Sequence, residues 1–180
     1  MTHAPPRVLV AGIGNIFLGD DGFGVETVRR LAAEPLPPHT ELADIGVRGV
    51  HLAYRMLDGY DTVVLVDAVS GDGPPGTVRL LAPDGARPPA GPVAVDGHHM
   101  TPDAVLALLD HLSETTGGER PRRVLVVGCV PARLDEGIGL SAPVEAAVEE
   151  AVRLLRTLLR EATDTPPGAP EPASGPAART

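Results

Sequence analysis

The sequence predicts an α/β fold: three layers, α/β/α, with a mostly parallel, twisted five-stranded sheet, one antiparallel edge strand and helices on both faces. Three observations lead there. Short Val/Leu runs alternate with segments of helical apolar spacing, the pattern of stacked β-α units. Two of the runs, Val63-Val64-Leu65-Val66 and Val124 to Val127, are apolar on both faces, as buried parallel strands require. The connection from Ala68 to Gly76 is too short for a parallel crossover, which needs about a dozen residues, so the strand after it is expected to be antiparallel and at the edge.

Taken in order, Arg7 to Gly12 reads as the first buried strand and runs into a Gly-rich turn. From Gly22 to Ala33, Val25, Val28 and Leu31 recur at helical spacing. A strand over about Thr40 to Ile45 precedes a helix whose stripe is expected to be Val50, Tyr54 and Leu57, stopped at Gly59. Asp61 to Ala68 is the central strand, and Gly76 to Ala82 the weakly alternating edge strand. Thr101 can cap a helix with Pro102 in its first position and Val105, Leu109 and Leu112 as its stripe. After the strand through Val124 to Val127, a last helix is capped near Ser141. It lines up Val144, Val148, Val152, Leu155 and Leu159, with a Glu149–Arg153 pair at i,i+4 on its wet side.

Residues 1–162 are read as one domain, and residues 163–180 as a disordered tail. From Thr163 onward there are five Pro and no Val, Leu, Ile, Met or aromatic residue, too little apolar surface to offset the entropy of ordering. Of the 180 residues, 43% are hydrophobic and only 2% aromatic, with no Trp, so Val, Leu, Ile and Ala must build the core. Mean hydropathy is +0.07. No apolar run approaches the roughly 20 residues of a membrane span. The first residues show neither the charged nor the apolar region of a secretory signal, so a cytoplasmic protein is expected. One cysteine, Cys129, excludes a disulfide framework and a cysteine-based zinc site. A formal charge of −9 argues against nucleic acid and anionic membranes as partners.

In an open α/β sheet, ligands bind outside the carboxyl ends of the strands. The polar groups expected there are Asp20 and Asp21 after the first strand, Asp44 at the end of the second and Asp67 at the end of the third. The Gly97-His98-His99 segment and Gly128-Cys129-Val130-Pro131 complete the set. A dinucleotide site is the first thought, since Gly12-x-Gly14 follows a strand. It fails: Phe17 occupies the third glycine position, and two carboxylates sit where a pyrophosphate needs a helix N-terminus free of anions. The carboxylates themselves are the better clue. Asp21 at a helix start, Asp67 and one histidine would make an O,O,N set with open positions, suited to a borderline divalent metal such as nickel, zinc or manganese.

Each residue has a plainer reading. Asp20 or Asp21 can be a helix cap. A histidine pair in a Gly-rich loop is usually just solvated. Cys129 at a strand end is ordinarily a small buried hydrophobe, with nothing beside it to mark an activated Cys–His pair. Asp67 resists such a reading, because a buried unpaired carboxylate after four apolar residues is costly.

Gly12-Ile13-Gly14-Asn15-Ile16-Phe17-Leu18-Gly19-Asp20-Asp21-Gly22-Phe23-Gly24, then Val66-Asp67-Ala68, the His98 loop and Gly128-Cys129-Val130-Pro131, stand in an order and spacing that resemble the hydrogenase maturation endopeptidases. These are the nickel-dependent proteases that process the large subunit of [NiFe] hydrogenases. The resemblance runs from about Arg7 to Leu159. It implies that Asp21, Asp67 and His98, with His99 as runner-up, contact nickel. The metal is carried by the precursor of the large subunit, whose C-terminal extension is then cut off. Asp21 is the general-base candidate, and the catalytic residues are otherwise open. A departure is the stretch Asp44-Ile45-Gly46-Val47-Arg48-Gly49, where the family usually has an Asp-Gly-Gly-Thr-type turn. The rival readings are a non-catalytic nickel or metallocluster checkpoint protein, which needs the same three ligands, and a nucleotide-binding Rossmann-like protein.

Overall fold

The computed structural model describes residues 5–83 and 101–164. Its sheet has five strands, β1 (Val8–Ile13), β2 (Thr40–Gly46), β3 (Thr62–Ala68), β4 (Val78–Leu81) and β5 (Arg123–Cys129), in the order β2-β1-β3-β5-β4. All pairings are parallel except β4 with β5, so the short connection after β3 does give an antiparallel edge strand. The helices are α1 (Phe23–Leu31), α2 (Gly49–Arg55), α3 (Pro102–Thr116) and α4 (Ala142–Asp164).

Strand alternation divides the core in two. Val8, Val10, Val64, Val66, Leu125 and Val127 point to one face, where Phe23, Val28 and Leu31 of α1 and the Val144-to-Leu159 stripe of α4 cover them. Leu9, Ala11, Ile13, Val63 and Leu65 point to the other, beneath α2 and α3. The expected α3 cap is present, with Thr101 Oγ1 accepting the Ala104 N–H at 3.4 Å.

Three expectations are corrected. In α2 the buried side chains are Leu52 and Ala53, with Met56 just beyond the helix, whereas Val50 is 38% and Tyr54 55% exposed. Both stripes have helical spacing. Gly49, Leu52, Ala53 and Met56 combine small residues that permit close approach with flexible ones that fill space, and the Tyr54 hydroxyl keeps its water. Glu149 pairs with Arg30 of α1 at 2.8 Å, a helix-to-helix contact in place of the expected i,i+4 pair with Arg153. Finally α4 continues through Thr163 and Asp164, where the composition predicts the tail; the Thr163 hydroxyl donates to the Leu159 carbonyl at 2.9 Å. Residues 165–180 lie outside the described residues.

The topology also fixes where a ligand can sit. From β1 the chain goes out to β2 on one side, then returns to β3 on the other. The crevice over the carboxyl ends of β1 and β3 is therefore the switch point of the sheet.

Candidate active site

Two glycines bring the loop after β1 against the end of β3. Gly14 has φ +126°, a region costly for any side chain, and a Cβ there would overlap the Asp21 carbonyl oxygen. A Cβ on Gly24 would overlap the carbonyl oxygens of Ile13 and Val66, so its absence lets α1 rest on the backbone just before Asp67. The group that approaches Gly24 is thus the protein's own strand, not a ligand.

Asp21 and Asp67 both line a cleft of about 540 Å³ at the switch point, with Gly14, Gly46 and Val47 on one side and Ser70, Thr101 and Asp103 on the other. One Asp21 oxygen accepts the Asn15 N–H at 2.7 Å. Asp67 is 5% exposed. Burial, then the Asp21 charge, push its carboxyl up to about 8, only partly offset by the Ala68 N–H. The protonated form of Asp67 is thereby favoured well above the usual carboxylate range. A cation between the two carboxylates would release that proton and remove their repulsion.

Asp20 has a different task. It is fully buried, and four donors meet its carboxylate: the Ala132 N–H at 2.7 Å, the Arg133 N–H at 3.1 Å, and the Ser141 N–H and hydroxyl at 2.6 and 2.8 Å. Burial raises its pKa, but the hydrogen bonds from Ser141, Ala132 and Arg133 outweigh that and hold it below the usual carboxylate range. Asp20 clamps the loop after β1 to the loop after β5. Neither it nor Asp21 caps a helix by its side chain, which sets aside the capping reading of both. The clamp was missed in the sequence because its partners lie 112 to 121 positions away.

Asp44 forms an exposed pair with Arg29 at 3.2 Å and stays out of the cleft lining. Cys129 is buried, and its thiol is pushed up to about 11 by burial and then by the charge of Asp20. That is the reverse of an activated nucleophile. His98 and His99 lie outside the described residues. Among the described residues no three His, Cys, Asp or Glu groups form a metal-binding cluster.

A family model described as hydrogenase maturation protease matches residues 25–157. The hydrogenase expression/formation protein HupD of Rhizobium leguminosarum bv. viciae is 34% identical over 173 residues, covering 93% of this chain and 83% of that protein. The hydrogenase 2 maturation protease of Escherichia coli is 34% identical over 157 residues, covering 86% and 92%. Among solved structures, the hydrogenase maturating endopeptidase HybD from E. coli superposes with a TM-score of 0.68 at 35% identity, covering 86% of this chain and 93% of that one.

Proposed function

The chain belongs to the hydrogenase maturation protease family and is an endopeptidase, and on that premise we propose that it recognises nickel in the precursor of a [NiFe] hydrogenase large subunit and removes a C-terminal extension. The observation behind this reading is the pairing of Asp21 with Asp67 in an open cleft, where burial and then the Asp21 charge push the Asp67 carboxyl up to about 8. Two carboxylates cannot enclose a metal ion, but they can complete the coordination of one that a partner already carries. His98 is the proposed third contact. It stands three positions before Thr101, which lines the cleft, and Pro83, the last described residue before it, lines the cleft as well.

In hydrolysis a water oxygen bonds to the scissile carbonyl carbon, the C–N bond breaks, and the water's proton passes to the departing amine. Asp21 is the proposed base for that proton. One of its oxygens is held by Asn15, which fixes the direction of the other. The nickel of the substrate would polarise the carbonyl or the water. No described helix is long and apolar enough to cross a bilayer. The site of action is proposed to be the cytoplasm.

The test is to incubate the purified protein with nickel-loaded and nickel-free precursor and follow C-terminal mass loss. Loss from the loaded precursor alone is expected. Equal cutting of both would sink the nickel reading, and binding without cutting would favour a checkpoint protein.

A further inference from the structure

Phe17, Leu134 and Ile138 are 59%, 52% and 78% exposed. A lone exposed apolar residue is unremarkable on a monomer; these three come from two loops that are bonded to each other beside the cleft. Gly137 N–H donates to the Phe17 carbonyl and Gly19 N–H to the Gly137 carbonyl, both at 2.9 Å, and Leu18 and Gly137 form a parallel bridge. The Asp20 clamp holds the same two loops at Ala132, Arg133 and Ser141. Leu134 reaches the cleft and lines it together with Asp21 and Asp67.

The composition makes this placement more pointed. The chain has two Phe, two Tyr and no Trp. Phe23 is fully buried in the core, while Phe17 is held in water. The backbone of the two loops is already tied together by these bonds, so it needs no ordering on contact.

We propose that Phe17, Leu134 and Ile138 form a docking lip that takes an apolar patch of the folded precursor beside the segment to be cut. The proposal rests on the reading of the cleft as the site of precursor cleavage. Continuity with that cleft, through Leu134, selects the substrate as the occupant in place of an unrelated partner. The two carboxylates then engage the cation, and the lip supplies apolar contact area that a cation site lacks.

Phe17→Ser, Ile138→Ser and the double variant test it, with the nickel-loaded precursor as probe. Dissociation constant, KM, kcat, melting temperature and sedimentation would be measured for each. Each single variant is expected to raise Kd and KM about tenfold, and the double variant more, with kcat and melting temperature near those of the wild type. Unchanged Kd and KM in folded variants would overturn the proposal. So would a wild-type dimer that the substitutions convert to a monomer without altering Kd, because the lip would then serve self-association. A wild type that binds precursor tightly without cutting it would refute the protease reading alone, while Kd still decides the lip.

Discussion

Asp20 and Asp21 stand side by side in the chain, yet one is met by four hydrogen-bond donors and the other faces a second carboxylate across a cleft. The clamp and the cleft use one residue type for opposite ends. At the clamp, each oxygen of a buried charge has partners, so the charge holds two loops together. At the cleft, burial and then the Asp21 charge disfavour the ionised form of Asp67. A buried carboxylate therefore reveals its role by what surrounds it. The satisfied carboxylate ties two loops together, while the one facing a like charge is the group proposed to meet the cation.

The largest expected effect is on the cleft side. Asp67→Asn and Asp21→Asn should each lower processing of nickel-loaded precursor at least about a hundredfold, more than loss of an outer-shell group usually costs. Asp67→Asn should fold at least as well as the wild type, since it keeps the shape and removes a carboxyl whose ionised form burial and the Asp21 charge disfavour. His98→Ala should also abolish processing, and His99→Ala should not. Mass spectrometry of the product with a parallel thermal melt checks all four. A normally active Asp67→Asn, or one that unfolds, would erase the contrast by making Asp67 structural.

The same substitution one position earlier should do the reverse. Asp20→Asn presents an NH2 to donors on one side of the clamp, leaving buried N–H groups of Ala132, Arg133 or Ser141 unpaired. A loss of about 3 kcal/mol is expected in denaturant unfolding, with a melting temperature lower by roughly 6–12 °C. Activity of the fraction that stays folded should fall far less than in Asp67→Asn. A stability loss below about 0.5 kcal/mol would show the clamp to be ornamental.

This division of labour was only half legible in the sequence. β1, β3 and β5 show in their unbroken apolar runs, and α4 in its long stripe, because burial on one or both faces dictates composition locally. Asp67 shows too, as a charge ending such a run. The face of α2 did not, because Val50/Tyr54 and Leu52/Met56 satisfy the same periodicity and only packing on the sheet chooses between them. Asp21 is singled out by the family resemblance, but the clamp role of Asp20 does not show in the sequence. Local spacing treats the two alike, and what separates them is a loop more than a hundred residues downstream.

Dependence on pH sharpens the contrast further. Asp67 has its folded pKa raised to about 8, so from roughly pH 4 to 8 the unfolded chain has lost that proton while the folded one keeps it. Stability should fall with rising pH across that window, by at most about 1.4 kcal/mol per unit, and Asp67→Asn should flatten the slope. Asp20 is depressed, and Glu41 is pulled to about 2 by its hydrogen bonds from Arg7, then Tyr60 and Arg55. Their contribution is present above the ordinary carboxylate range and is lost as pH falls through their folded values. Asp20→Asn should accordingly be less stable across neutral and alkaline pH, with its slope changed in the acid limb alone. Urea unfolding of the three proteins at pH 3 to 9 reads both limbs, and a slope in Asp67→Asn equal to the wild type's would contradict the assignment.

The smallest effect is expected at Cys129, which borders the clamp rather than the cleft lining. Its thiol is fully buried at the end of β5, packs into the α1/α4 side of the core, and makes a 3.8 Å contact with the Val130 carbonyl. With the pKa pushed up to about 11, less than about one thiol in a thousand is ionised at pH 7, too little for a nucleophile. Cys129→Ala removes one buried sulfur, so a loss of about 1 kcal/mol is expected, with processing of precursor unchanged. Iodoacetamide should leave the native protein unmodified at pH 8. Because the Asp20 charge is part of what holds the thiol up, Asp20→Asn should make Cys129 react faster while it remains buried. An inactive but folded Cys129→Ala would move the chemistry from the cleft to the clamp, and the comparison between the two would collapse.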